Sequence, residues 1–206
     1  MTATRRLVLP EEYDLALTEA SQALLAGEAV ILPTDTVYGL MVLASDPGAR
    51  ELLYRLKGRD ADKPCQILVS GQDMAEKIGA VFSPASRRLA QRFWPGPLTL
   101  VLPGPPGQPS LGLRAPDHPF VQALLARLGQ PLAASSANPA GQPPPVEAAA
   151  ADVFTGVALL VDAGPARQGQ ASSVLAANPD GSFTLLRPGA LDRKELAQVA
   201  DAPLVG

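Results

Sequence analysis

The chain has 206 residues, 47% hydrophobic and 18% charged, with a formal net charge of −3. That length fills one sizeable core or two small ones, and the mixture is that of a soluble globular protein. The acidic balance argues against broad electrostatic binding to nucleic acid, no apolar run reaches the ~18 residues of a membrane span, and Cys65 as the only cysteine excludes an intrachain disulfide or a thiolate metal cluster.

Apolar side chains at helical spacing predict a helix over 11–26, which Gly27 would end. AVIL at 29–32 reads as a short buried strand, and GLMVLA at 39–44 as the next, with a loop over 33–38 between them. Asp46 and Pro47 supply a helix cap and first-turn proline for a helix through Leu56. A strand follows at 66–70, a short helix at 72–78, and a helix from Ser83 and Pro84 to Phe93. LTLVL at 98–102 and LGLR at 111–114 read as strands, and Asp117 is placed to cap a helix reaching Leu128. PLAAS then leads into a polar loop over 135–145. The last third holds a helix at 146–154, strands at 157–161, 172–176 and 182–187, and a short helix after Asp192. Such alternation predicts an α/β sheet covered by helices, and no shift of composition marks a second domain. The first ten residues carry two arginines but no apolar signal segment, so a cytoplasmic protein is expected.

Three segments carry polar groups suited to chemistry. PTDTVYGL at 33–40 offers Thr34, Thr36 and Tyr38 hydroxyls on a loop between strands, either for a ligand or simply to satisfy a turn. The run 50–63 holds Arg50, Arg55, Lys57, Arg59 and Lys63 against Glu51, Asp60 and Asp62. Such cations can converge on phosphate, or merely decorate a solvated helix end. Ser135, Ser136 and Asn138 could hold a nucleotide or form a plain turn. The sequence has no GxxxxGK[ST] loop, no GxGxxG fingerprint and no nucleophile elbow, and its only histidine, His118, sits at an expected helix start.

In this order and spacing, PTDTVYGL (33–40), KGRDADKP (57–64), WPGPLTLVL (94–102), LRAPDHP (113–119), SSANPAGQP (135–143), SSVL (172–175) and LRPG (186–189) resemble the YrdC/TsaC family of threonylcarbamoyl-AMP synthases. The resemblance implies a twisted mixed sheet with flanking helices around a basic concave cavity. It implies an enzyme that combines L-threonine, bicarbonate and Mg2+-bound ATP, releases pyrophosphate, and hands threonylcarbamoyl-AMP to a tRNA threonylcarbamoyl-transfer machinery. Lys57 and Arg59 would be catalytic; Arg59, Lys63, Ser136, Asn138 and Arg187 would hold ATP; Thr36, Arg114, the backbone of Ala134 and Ser172 would hold threonine. No protein-bound metal is implied beyond the Mg2+ that accompanies ATP. Leu68, Ala140 and Gln142 depart from the commoner family pattern. The chain would be the short form, a single domain over 1–206 with its core at about 11–190 and no extra C-terminal domain. The alternatives are an RNA-binding module without catalysis, or a carbamoyl-transfer relative. If Lys57 and Arg59 sit in a crowded basic pocket, removing either should slow turnover yet leave thermal stability near wild type.

Overall fold

The computed structural model describes residues 4–58, 64–105 and 107–206. In chain order these form β1 (Arg5–Val8), α1 (Tyr13–Leu25), β2 (Val30–Leu32), β3 (Gly39–Leu43), α2 (Pro47–Lys57), β4 (Gln66–Leu68), α3 (Gln72–Lys77), α4 (Pro84–Phe93) and β5 (Leu98–Leu102). There follow β6 (Leu111–Arg114), α5 (Pro119–Leu128), β7 (Leu132–Ser136), α6 (Ala148–Ala151), β8 (Leu159–Asp162), β9 (Ser173–Ala177), β10 (Phe183–Arg187), α7 (Arg193–Ala200) and β11 (Leu204–Val205). The strands make one mixed sheet in the order β1-β8-β2-β3-β7-β4-β6-β5-β9-β10-β11. No helix among the described residues is long and apolar enough to cross a membrane.

The helix ends follow local chemistry. The Asp46 carboxylate accepts the Ala49 amide at 3.1 Å, Pro47 opens α2, and Gly58 closes it in the left-handed conformation at φ 55°. Ser83 caps α4 through Ser86, and Asp192 caps α7 through Lys194 and Glu195.

Because successive side chains of a strand point to opposite faces, continuously apolar strands feed two cores. Val30 and Leu32 of β2, Met41 and Leu43 of β3, and Leu132 and Ala134 of β7 join α1 and α5 on one face. Ile31, Leu40, Val42 and Ala133 from the same strands join α2 and α6 on the other. A third cluster gathers Leu98, Leu100 and Leu102 of β5 with Leu113, Leu175 and Phe183 beneath α4 and α7. The central strands are therefore covered on both faces, which explains why their sequences are unbroken apolar runs.

Several expectations need correction. The strand expected at 66–70 ends at Leu68, and the helix expected at 146–154 contracts to Ala148–Ala151. Asp117 does not cap α5: the cap position belongs to His118, without a side-chain bond, while the Asp117 carboxylate pairs with Arg167 at 2.9 Å. The short outer strands β1 and β11 were not expected. Only Leu7 of β1 is buried, so its period is too weak to read, and its partner β8 lies far along the chain.

Candidate functional site

The middle of the sheet brings β3, β7, β4, β6, β5 and β9 side by side, and polar residues at or beside their ends face a common space. A cavity of about 500 Å3 is lined by Thr36, Gln66, Thr99, Arg114, Ser172 and Arg187 among others. Ala134, Ser135, Ser136 and Cys65 also border it. A smaller recess of about 40 Å3, bounded by Met41, Leu68, Thr36 and Arg114, opens beside it.

The loop after β2 serves two purposes. Thr34 Oγ1 accepts the amides of Thr36 and Val37 at 3.1 and 3.2 Å and donates to the Val37 carbonyl at 2.6 Å. Thr34 is thus a turn former, as the plainer reading of its hydroxyl required. Tyr38 is structural as well: its hydroxyl donates to the Gly164 carbonyl at 2.7 Å and accepts the Ala163 amide at 3.1 Å. Burial pushes its pKa up to about 12. Thr36 is different, since its Oγ1 accepts from Arg114 Nη1 at 2.7 Å on the cavity wall.

Arg114 is 4% exposed and bound on every nitrogen. Nε donates to the Gly96 carbonyl at 3.1 Å, Nη1 to Thr36, and Nη2 to Asp35 Oδ1. Asp35, 1% exposed, also accepts the Asp117 amide at 3.1 Å, leaving Oδ2 without a partner. Burial lowers the Arg114 pKa, Asp35 opposes that shift, and Arg187 adds to it. A guanidinium so held keeps a fixed plane toward the cavity, the geometry that pairs with a carboxylate.

Arg187 reaches from the end of β10 to the segment before β9. Nε and Nη2 donate to the Ser172 carbonyl at 3.1 and 3.0 Å, and Nη2 to Ser172 Oγ at 3.0 Å. Gly189 makes that approach possible, because a Cβ there would come within 2.4 Å of Ala171 and Ser173 backbone atoms. Burial lowers the Arg187 pKa.

Thr36, Arg114, Ala134, Ser136, Ser172 and Arg187, all expected from sequence, therefore share one cavity. Lys57 and Asn138 stand behind it. Lys57, 7% exposed, donates from Nζ to the Ser136 carbonyl at 2.7 Å and to the Asn138 carbonyl, with Asn138 Oδ1 at 3.4 Å. Its ammonium lies 5.9 Å from the Phe154 ring centroid. Asn138 Nδ2 donates to the carbonyls of Pro139 and Gln142 at 3.0 and 2.6 Å. Lys57 thus ties the end of α2 to the loop after β7, and the expectation that its removal would spare stability is corrected on that ground. Arg59 and Lys63 lie outside the described residues. Among the described residues the lining cations are Arg114 and Arg187, with Asp35 offsetting the first, so the described lining is polar rather than strongly basic.

Sequence reasoning missed Asp35, Gln66 and Thr99. Each left a faint signal: Asp35 lies between Thr34 and Thr36, and Gln66 and Thr99 are polar residues in otherwise apolar strands. Leu68, a departure from the commoner pattern, forms part of the small recess instead of supplying a polar contact.

The family model described as telomere recombination, Sua5/YciO/YrdC, matches residues 22–189. A Bacillus subtilis protein named threonylcarbamoyl-AMP synthase is 36% identical over 197 residues, covering 90% of this chain and 57% of its own length. A Mycobacterium tuberculosis relative is 38% identical over 209 residues, covering 97% of this chain and 95% of its own. Pyrococcus abyssi Sua5, crystallised as a complex with L-threonine, is similar at a TM-score of 0.88 and 31% identity, over 98% of this chain and 62% of that one. The chain thus spans less than two thirds of the B. subtilis and P. abyssi proteins.

Proposed function

The chain belongs to the Sua5/YciO/YrdC family, and from that premise we propose that it condenses L-threonine, bicarbonate and ATP into threonylcarbamoyl-AMP, releasing pyrophosphate. The observation that carries the reading is the pair of anchored guanidinium groups, Arg114 with Thr36 and Arg187 with Ser172, lining one cavity of about 500 Å3. The reaction needs a carboxylate site and a phosphate site within bonding reach of each other. The L-threonine bound to P. abyssi Sua5 supports threonine as a substrate, and the name of the B. subtilis relative supports threonylcarbamoyl-AMP as the product.

In this scheme Arg114 and Thr36 orient the threonine carboxylate, leaving the amine to add to bicarbonate with loss of water. A carbamate oxygen then attacks the α-phosphorus of ATP, and the bond to pyrophosphate breaks. Arg187 and Ser136 stabilise the charge on the phosphates, with Arg59 and Lys63 as further phosphate ligands, while Ser172 and the Ala134 backbone border the threonine. Lys57 and Asn138 position Ser136 from behind. Orientation and fixed electrostatics, rather than a dedicated base, supply the catalysis. Among the described residues no group of three or more His, Cys, Asp or Glu side chains could cage a metal. The cavity's hydroxyl and guanidinium donors match phosphate oxygens, so Mg2+ would be carried on the ATP phosphates, where it offsets their charge. The mixed anhydride produced is reactive and needs a nucleophilic acceptor, which the family resemblance identifies as a tRNA served by a threonylcarbamoyl-transfer machinery.

Pyrophosphate release should require ATP, bicarbonate and L-threonine together. Equal release with L-valine, which keeps the shape but lacks the hydroxyl, would refute a pocket that reads threonine. Calorimetry on Arg187→Ala should show ATP affinity falling more than threonine affinity; the reverse would overturn the assignment of that residue.

A further inference from the structure

A hydrogen-bonded chain runs along the cavity wall through two residues that the scheme above leaves idle. Gln66 Nε2 donates to Thr99 Oγ1, which lies 2.8 Å from Ser172 Oγ, which in turn accepts from Arg187 Nη2 at 3.0 Å. Thr99 is 4% exposed and Ser172 2%, and both line the cavity.

The protons can be counted. An amide nitrogen and a guanidinium only donate, so the hydroxyl pair receives one hydrogen bond at each end. Between them the two hydroxyls own two protons, and the bond joining them consumes one. Whichever hydroxyl donates to the other, one proton remains, and no protein acceptor among the described residues takes it. The pair is therefore polarised from both ends into a single outward donor, beside a cation. Its complement is an anionic oxygen.

We propose that Gln66 and Thr99 are positioning residues that fix the Thr99–Ser172 hydroxyl pair as a hydrogen-bond donor to an anionic oxygen of bound substrate. This rests on the reading that the cavity holds ATP and threonine, either of which carries such an oxygen: a phosphate in one, a carboxylate in the other. Gln66 sets the direction. A glutamate there would accept the Thr99 proton, draw the Ser172 proton to Thr99, and leave nothing to offer the ligand.

The test uses calorimetric titration of the full chain with ATP and, separately, with L-threonine, for Thr99→Val, Thr99→Ser, Gln66→Glu and the Thr99→Val/Gln66→Glu double variant. Thr99→Val keeps the side-chain shape, and circular dichroism checks its fold. Gln66→Glu should weaken one ligand by about tenfold or more, a loss on the order of one charge-assisted bond. Thr99→Val should weaken the same ligand by less, because Ser172 keeps its own proton while losing the neighbour that orients it. The ligand affected identifies the source of the oxygen. Thr99→Ser should stay within about threefold of wild type. The double variant should be no weaker than Gln66→Glu, because without Thr99 as acceptor Ser172 keeps a proton for the ligand, while the charge at position 66 is the same in both; independent effects would multiply instead. Wild-type affinity in Gln66→Glu, equal weakening of both ligands, or a double variant weaker than Gln66→Glu would each overturn the inference. Variant-sensitive binding without pyrophosphate release by the wild type would refute the proposed reaction and leave the donor pair standing. Release that persists with insensitive binding would do the opposite.

Discussion

Replacing Lys57 by methionine keeps most of the stem and removes the ammonium. In the folded protein that ammonium binds the Ser136 carbonyl at 2.7 Å and the Asn138 carbonyl, joining α2 to a loop 79 residues away from it in sequence. Hydrogen bonds to a charged group contribute roughly 1.5–3 kcal/mol each, so two give about 3–6 kcal/mol. Removing a buried cation also returns part of its desolvation cost, which leaves a net loss on the order of 2–4 kcal/mol. For a chain of this size each kcal/mol lowers the melting temperature by about 2–4 °C, so a fall of roughly 5–15 °C is expected. Urea unfolding of Lys57→Met beside wild type, with the slope checked for constancy, measures it directly. Pyrophosphate turnover should fall too, because Ser136 loses the group that fixes its carbonyl. A loss of stability below about 1 kcal/mol would refute the assignment of Lys57 as a buried tie, whatever happened to activity.

Asp35→Ala should destabilise by about 3–5 kcal/mol in urea unfolding, because Arg114 would remain buried without its counter-ion; Asp35→Ala/Arg114→Met should recover part of that loss, and an additive double variant would contradict the pairing. The Tyr38 hydroxyl titrates at about 12 in the folded protein, above the value of about 10 for an exposed tyrosine. Between those values the folded state keeps a proton that the unfolded chain has released, so stability should fall as pH rises through that window. Urea midpoints compared at about pH 9 and about pH 11 should show a drop in wild type that is smaller in Tyr38→Phe; equal drops would refute it.

Much of the architecture is local information. The capping pair Asp46 and Pro47 and the Ser83 cap sit within a few residues of the helix ends they define, so spacing alone reveals them. The strands β2, β3, β5, β6 and β7 are legible for the same reason, as their apolar runs are bounded by loop residues on either side. The motifs naming Thr36, Arg114, Ser136, Ser172 and Arg187 gave the contents of the cavity, although nothing in their spacing says that they meet. Meeting depends on the order in which strands join the sheet. The pairing of β5 with β9 sets Thr99 beside Ser172 across 73 residues, and that of β4 with β6 brings Arg114 next to the Gln66 strand. Tertiary structure also decided where charges point. Lys57 and Arg114 are both cations at the ends of regular elements, yet one turns inward to backbone carbonyls and the other lines the cavity against Asp35. A sequence fixes which residues can share a face, because helix and strand periods are short. Which faces then come together, and which buried charge finds which partner, is settled only when distant segments close over one another and each desolvated polar group must be satisfied by whatever the fold has placed within reach.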